Sequence, residues 1–418
     1  MTPLTMTEKI LAKRLGRVPS PGEHIVAPVD YVYMHDGTFP LALRVLNEAG
    51  LVDQVDPGRL VLFIDHAAPA PSVAAALVHQ EMRRFAAKHG VRLYDVGRGI
   101  SHQVMVEEGY AKPWRIILGA DSHTVTLGAV GAFATGVGST DAAIAAASGR
   151  IWLRVPEQVR VRISGYELPP GVMGKDVALG LIHELGANGA IYKALEFQGE
   201  LSALSLSSRL TISNMVVEAG AKLGLFPVDS LAAKSLLEEY GVDAPRLYPD
   251  PGAEYSDELE LELHGLEPLV AAPPRVDNVK PVTEVEGVEV DQVFIGSCTN
   301  GRYEDFLAAA RILRGRRVRE GVRCIAVPAS RPIFQRLVAS GVVEVLTGAG
   351  CVVTFGTCGP CLGAHFGLLG EDEVVVSTSN RNFVGRMGHP SSRIYLASPV
   401  TAAAAAVAGK VTDPREYM

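Results

Sequence analysis

Three cysteines hold the most distinctive chemistry in this chain: Cys298 in Gly296-Ser297-Cys298-Thr299-Asn300-Gly301-Arg302, and Cys358 with Cys361 in Thr357-Cys358-Gly359-Pro360-Cys361. Iron–sulfur ligation ordinarily takes four thiolates. A set of three leaves one metal corner open, the feature that separates catalytic metal sites from closed structural ones. Taken alone, the C-x-x-C spacing equally suits a dithiol redox pair or half a zinc site. The flanks favour the cluster, because small residues beside each thiol let backbone amides approach the sulfurs closely. A redox pair is instead expected early in a much shorter βαβ unit. The other two cysteines, Cys324 and Cys351, lie in the apolar runs Val322-Arg323-Cys324-Ile325-Ala326 and Ala349-Gly350-Cys351-Val352-Val353. Both read as buried strand residues that behave as small hydrophobes.

Polar side chains follow several apolar runs. Leu62-Phe63-Ile64 leads into Asp65-His66, and Ile116-Ile117-Leu118-Gly119-Ala120 leads into Asp121-Ser122-His123-Thr124. Val293-Phe294-Ile295 leads into the Cys298 segment. Val374-Val375-Val376 leads into Ser377-Thr378-Ser379-Asn380-Arg381-Asn382, with Arg386 about one helical turn on. Ligands in open α/β sheets bind outside the carboxyl ends of the strands, so these clusters are read together. A lone histidine is more often a satisfied core or surface residue. An adjacent carboxylate orients an imidazole and raises its basicity, which suits Asp65-His66 and Asp121-Ser122-His123 to general acid–base work. His35, in Tyr33-Met34-His35-Asp36-Gly37-Thr38, and His102, in Gly99-Ile100-Ser101-His102-Gln103, stand between the two readings. His79, His89 and His389 have no such context and read as structural. Arg381 and Arg386 are guanidiniums at a strand end, suited to bidentate recognition of a dicarboxylate. Solvated surface arginines are commoner, but the amide-rich setting of Arg381 favours the site.

The elements that must position these residues alternate. Short β-rich runs at 60–65, 91–96, 114–119, 159–163, 290–295, 322–327, 351–355, 374–377 and 394–397 are separated by helical stretches, the pattern of an α/β protein with largely parallel sheets. Helix caps are expected at Thr5 or Thr7 with Gly16, at Ser139 or Thr140 with Gly149, and at Thr401 with Gly409. A Pro-rich acidic stretch, 245–274, and a weaker break near Pro156 divide the 418 residues into expected domains 1–156, 157–275 and 276–418. The Gly-rich segment 128–140 has neither a GxGxxG nor a Gly-Lys-Ser/Thr sequence and reads as close backbone packing ahead of a helix. A net charge of −7 gives no electrostatic footprint for nucleic acid. The apolar stretch 127–149 is broken by glycines and by Ser139, Thr140 and Asp141, so no membrane span is expected. The amino terminus shows no secretory signal, which makes a cytoplasmic protein the expectation. In a reducing compartment, an odd cysteine count argues against a disulfide framework.

Asp121-Ser122-His123-Thr124, the Gly296–Arg302 segment, Cys358-Gly359-Pro360-Cys361 and Ser379-Asn380-Arg381-Asn382-Phe383 occur in an order that resembles the aconitase superfamily. The likeness is to its branch of 3-isopropylmalate dehydratases and homoaconitases, and it runs over essentially the whole chain. The resemblance implies an aconitase-like core of three α/β domains, with mostly parallel sheets around a central cluster site. It implies one [4Fe–4S] cluster per subunit held by Cys298, Cys358 and Cys361, and isomerisation of a small hydroxy-dicarboxylate or tricarboxylate by dehydration and rehydration through an alkene. His66, oriented by Asp65, would protonate the departing hydroxyl, while Asp121, His123 and His102 would hold the hydroxyl or water. Ser122, Arg381 and Arg386 would bind carboxylate, with Glu218 a further acidic partner. Asn214, Asn300 and Asn380 would lie near the cluster. His35 falls where aconitase itself has glutamine and is a candidate substrate contact. The family's mobile fourth domain, which carries a serine base, is not matched here. A small second subunit of about one domain is therefore expected, and the isolated chain should bind a cluster but catalyse poorly. Readings from other classes are a cluster-dependent RNA-binding regulator, which the acidic balance disfavours, and a zinc hydrolase with three thiolate ligands.

Overall fold

A computed structural model describes residues 2–418 as three main sheets flanked by helices, with a two-stranded antiparallel ribbon of His24–Pro28 and Arg150–Arg154. The first sheet runs in the order Arg92–Tyr94, Leu60–Phe63, Tyr31–His35, Ile116–Gly119, Phe133–Gly136, all parallel. Its inner strands, such as Leu-Val-Leu-Phe at 60–63, are buried on both faces, as parallel sheets covered by helices must be. From Tyr31–His35 the chain winds outward through Leu60–Phe63 and Arg92–Tyr94, then returns to the other flank at Ile116–Gly119. The strand order therefore reverses between Tyr31–His35 and Ile116–Gly119, and the carboxyl ends at that reversal are where α/β sheets bind ligands.

The third sheet repeats the arrangement. Its parallel strands run Arg393–Ala397, Val374–Ser377, Gln292–Gly296, Arg323–Val327, Val352–Val353, and the order reverses between Val374–Ser377 and Gln292–Gly296. Cys298 follows one of these two strands and Asn380 the other. Leu269–Ala271 and Val279–Pro281 extend the sheet antiparallel, so it begins a few residues before the joint expected at 275–276. The second sheet, Leu223–Leu225, Ala194–Gly199, Gln158–Ser164, Asp257–Glu262, is parallel. One continuous apolar core joins residues of all three sheets, including Phe63, Phe197, Phe226 and Phe294.

Local chemistry chose among the expected caps. Thr5 accepts from Glu8 N while the Glu8 carboxylate accepts from Thr5 N, and Gly16 ends the helix at φ 72°. The Thr7 hydroxyl instead donates to buried Glu196. Gly138 rather than Ser139 or Thr140 precedes the helix Ser139–Ser148. Ser398 rather than Thr401 precedes Pro399–Ala408, because proline at the first helical position gives up an N–H that has no partner there. In the Gly-rich segment, Gly128 approaches the second sheet so closely that an added Cβ would lie 2.0 Å from Gly224 O. No helix among the described residues is long and apolar enough to cross a membrane.

One expectation is corrected. Cys324 and Cys351 are joined as a disulfide and are not two independent small hydrophobes. Parallel pairing of Ile325 with Val352 sets the preceding ends of both strands side by side, with the two Cα atoms 4.6 Å apart. The bridge closes a 27-residue separation, and on chain-entropy grounds it stabilises by about 3.5 kcal/mol. Cys324→Ser is expected to lower the urea midpoint accordingly. A midpoint that changes neither with this substitution nor with reductant would rule the bridge out as a stabilising element.

Candidate active site

Asp121 is the centre around which the first sheet's polar residues converge. It caps the turn Ser122–Val130 by accepting from His123 N at 2.7 Å. Four imidazoles face its carboxylate: His35 Nε2 at 3.4 Å, His66 Nε2 at 3.6 Å, His102 Nε2 at 3.3 Å and His123 Nδ1 at 3.5 Å. Burial alone would raise this carboxyl, but His102, His123 and His35 hold it well below the usual carboxylate range.

The bonds behind each ring fix its role. Gly37 N donates to His35 Nδ1 at 3.1 Å, which leaves the ring hydrogen on Nε2, facing Asp121. Burial lowers His102 toward its neutral form. The Tyr33 hydroxyl lies 2.7 Å from His102 Nδ1 and donates its hydrogen to Thr124 Oγ1 at 2.9 Å, whose hydroxyl in turn donates to Asp121 O at 2.6 Å. His123 spans two carboxylates, with Nε2 2.9 Å from Glu218 Oε1. His66 Nδ1 lies 2.7 Å from Asp65 Oδ1, and Asp65 Oδ2 accepts from Ser101 N at 2.6 Å. Against burial, Cys358, Asp65 and Asp121 hold the His66 imidazole well above its ordinary value. The His35 ring stacks on it, centroids 3.6 Å apart and planes 17° from parallel.

The third sheet brings the thiols to the same place. Cys298, Cys358 and Cys361 are buried and unpaired with one another. Asn214 Nδ2 donates to Cys298 Sγ at 3.2 Å. Asn380 touches two sulfurs, donating to Cys298 Sγ at 3.5 Å and accepting from Cys361 Sγ at 3.7 Å. Cys358 N and the Thr357 hydroxyl both donate to Asp65 O, tying the C-x-x-C loop to the acid–base dyad. Burial pushes the Cys358 thiol up to about 12, and burial together with Cys358 and Cys361 pushes Cys298 up as well. Thiols crowded together in this way, with amide donors on sulfur, form a donor set that fits an iron–sulfur cluster, whose metal displaces their protons. Strain marks the turn that presents Cys298: Ser297 has φ 71°, and an added Cβ at Gly296 would lie 2.5 Å from Val327 O.

Carboxylate chemistry lies on the open side. Arg381 Nε meets Glu218 at 2.8 and 3.1 Å, and its Nη2 donates to Ser122 Oγ at 2.9 Å. Despite burial, His123 and Arg381 keep the Glu218 carboxyl low. Arg386 stands beside the Phe383 ring, with its Nε unpartnered among the described residues. A groove of 330 Å³, lined in part by Glu218, Arg381 and Phe383, leads outward. Asn300, two residues after Cys298, donates its amide to Asp305 at 2.9 Å and Thr211 at 3.4 Å.

Several contributors were not singled out from sequence. Tyr33 reads as an ordinary strand aromatic. Asp36 accepts from the backbone N–H groups of Asp65, His66 and Ala67 and so fixes the dyad's turn; its position next to His35 was the available signal. His79, expected to be structural, stands behind the site, 3.5 Å from Asp36. Arg302 donates to Cys298 O at 2.7 Å.

The carboxyl ends of two parallel sheets meet, one presenting acid–base imidazoles and the other three buried thiols, and together they define an α/β metalloenzyme. The profile of the aconitase family (aconitate hydratase) matches residues 8–287 and 277–409, and the chain belongs to that family. It is 52% identical over 416 residues to the "3-isopropylmalate dehydratase large subunit" of Pyrobaculum neutrophilum, and 50% identical over 416 residues to the "3-isopropylmalate dehydratase large subunit 1" of Methanopyrus kandleri. It is 49% identical over 418 residues to the "3-isopropylmalate dehydratase large subunit 2" of Archaeoglobus fulgidus. Each alignment covers 99% of both chains. Among solved structures, Thermococcus kodakaraensis aconitase X in its holo form shares the fold, with a TM-score of 0.52 at 11% identity over 85% of this chain and 84% of that one.

Proposed function

We propose that the chain is the catalytic large subunit of a 3-isopropylmalate dehydratase, a cytoplasmic hydro-lyase that interconverts 2- and 3-isopropylmalate in leucine biosynthesis. The observation that carries this reading is Asp121 ringed by four imidazoles beside three buried thiols; the names of the full-length relatives supply the substrate. Cys298, Cys358 and Cys361 would hold a [4Fe–4S] cluster, which when bound supplies a Lewis-acid metal corner to a substrate hydroxyl and carboxylate. His66, kept protonated by its surroundings, holds on Nε2 the proton that the departing hydroxyl takes up, and Asp65 fixes the ring that carries it. Asp121, with His102 and His123, orients the resulting water. Arg386 and Arg381, with Ser122, hold carboxylate by charge-assisted bonds.

Removal of the carbon-bound proton is assigned to a small subunit that carries the mobile fourth domain. Leu362, Leu368, Phe383 and Val384 are exposed on the two loops that bear Cys361 and Arg381, an apolar rim at the mouth suited to cover by that partner. The test is anaerobic co-purification with a small subunit, followed by turnover assays on 3-isopropylmalate, homoaconitate and citrate. The expected result is preference for 3-isopropylmalate, with only slow turnover by the chain alone. Activity on none of the three overturns the assignment, and preference for homoaconitate transfers it to that reaction.

A further inference from the structure

Lys175 is among the largest side chains with no exposed surface at all. It lies in the first turn of the helix Gly174–Leu185, where the helix dipole disfavours a cation. Burying an ammonium is costly unless an anion compensates, yet no carboxylate pairs with it among the described residues. Asp176, its neighbour in sequence, turns away to accept from Met173 N at 2.7 Å and Leu269 N at 2.8 Å. Burial also pushes that carboxyl up to about 7, which weakens it as a counter-ion. Lys175 Nζ instead donates to Thr378 O at 3.0 Å and Ser379 O at 2.5 Å. Those carbonyls belong to the two residues before Asn380, the amide that touches both Cys298 and Cys361. Burial pushes the ammonium down to about 8, still charged at neutral pH, and the groups that oppose that shift most are Cys361 and Cys298, whose sulfurs would be thiolates once metal displaced their protons.

We propose that Lys175 is a positioning residue of the thiol centre, whose buried ammonium fixes the turn carrying Asn380 and supplies the positive charge that compensates three thiolates. The proposal rests on the cluster reading above. A cluster core of charge 2+ on three thiolates is an anion, and reduction makes it more so, so a buried cation beside the sulfurs favours the reduced form. The ammonium thus does two separable things: its hydrogen bonds place Asn380, and its charge sets the cluster's potential.

Lys175→Gln keeps a donor for the two carbonyls and removes the charge; Lys175→Met removes both. In reconstituted protein, the equilibrium constant for one-electron reduction, followed by EPR-monitored titration, is expected to fall at least tenfold in both variants, equivalent to ~59 mV. Loss of iron to a chelator is expected to be at least tenfold faster in Lys175→Met than in wild type. A constant within twofold of wild type in both variants overturns the proposal. Should neither variant fold, wild-type protein labelled with 15N at lysine Nζ decides by ENDOR of the reduced cluster. A resolved 15N coupling supports the assignment, and its absence overturns it. Wild-type chain that takes up no iron and sulfide overturns the cluster reading itself, a result distinct from either of these.

Discussion

Replacing Asp121 with asparagine is expected to lower kcat by ~10³, within the range by which positioned acid–base groups accelerate reactions, while iron content stays at the wild-type level. Asparagine keeps the shape of the side chain and one acceptor oxygen but removes the charge that four imidazoles share. His66 suffers through its proton: Asp121 is one of the groups holding that imidazole above its ordinary value. A histidine with a raised pKa is an acid below that pKa and stops being one as pH rises through it. The alkaline limb of the kcat/KM profile should therefore move to lower pH in Asp121→Asn. KM should change only a few fold, because carboxylate recognition rests on Arg381, Arg386 and Ser122 across the site. A variant with wild-type kcat and an unmoved alkaline limb would remove Asp121 from the centre of this chemistry.

The sequence exposed this site's reactive groups more readily than what supports them. Thiols, histidines and strand-end carboxylates are rare residue types in telling contexts, so Cys298, Cys358, Cys361, Asp65-His66 and Asp121-Ser122-His123 could be read directly. Their supports are common residues whose roles depend on distant neighbours. Tyr33 holds His102 across 69 positions of sequence, and Lys175 reaches Ser379 across 204. Register has the same property: the pairing that brings Cys324 beside Cys351 is set between two parallel strands and leaves no local mark. Many strands with buried faces were visible, but Tyr31–His35 and Ala194–Gly199, although largely buried, were not marked, and Asp257–Glu262, Asp-Glu-Leu-Glu-Leu-Glu, hid its identity because it is an edge strand with acids on its solvent side. Phe133–Gly136 was concealed within the Gly-rich segment, and Leu223–Leu225 is too short for its period to register. The two strand-order reversals that make the site follow from these pairings, so their carboxyl ends could be marked as candidates without the sheet order being known.

Cys298→Ser should separate the two kinds of cysteine in this chain. Serine matches the thiol in shape, and Asn214 and Asn380 still offer N–H donors to it, so the fold should persist and the urea midpoint should stay near wild type. A hydroxyl in this buried place, however, does not become the anion that soft metal ligation requires. Iron and sulfide should fall to a small fraction of wild type. Turnover with the small subunit should fall at least ~10³-fold, since a Lewis-acid metal contributes several kcal/mol to the transition state and each 1.36 kcal/mol is tenfold. Cys324→Ser is the mirror image, lowering stability through loss of the bridge to Cys351 while leaving iron content intact. Because the two substitutions are the same chemical change at buried positions, one in a strand and one just beyond the end of its neighbour, general loosening of the core would move both readouts in both variants. Only a division of labour, with three thiols on metal and two on each other, moves one readout in each. Full iron in Cys298→Ser, or iron loss in Cys324→Ser with an unchanged midpoint, would require the ligand set to be reassigned.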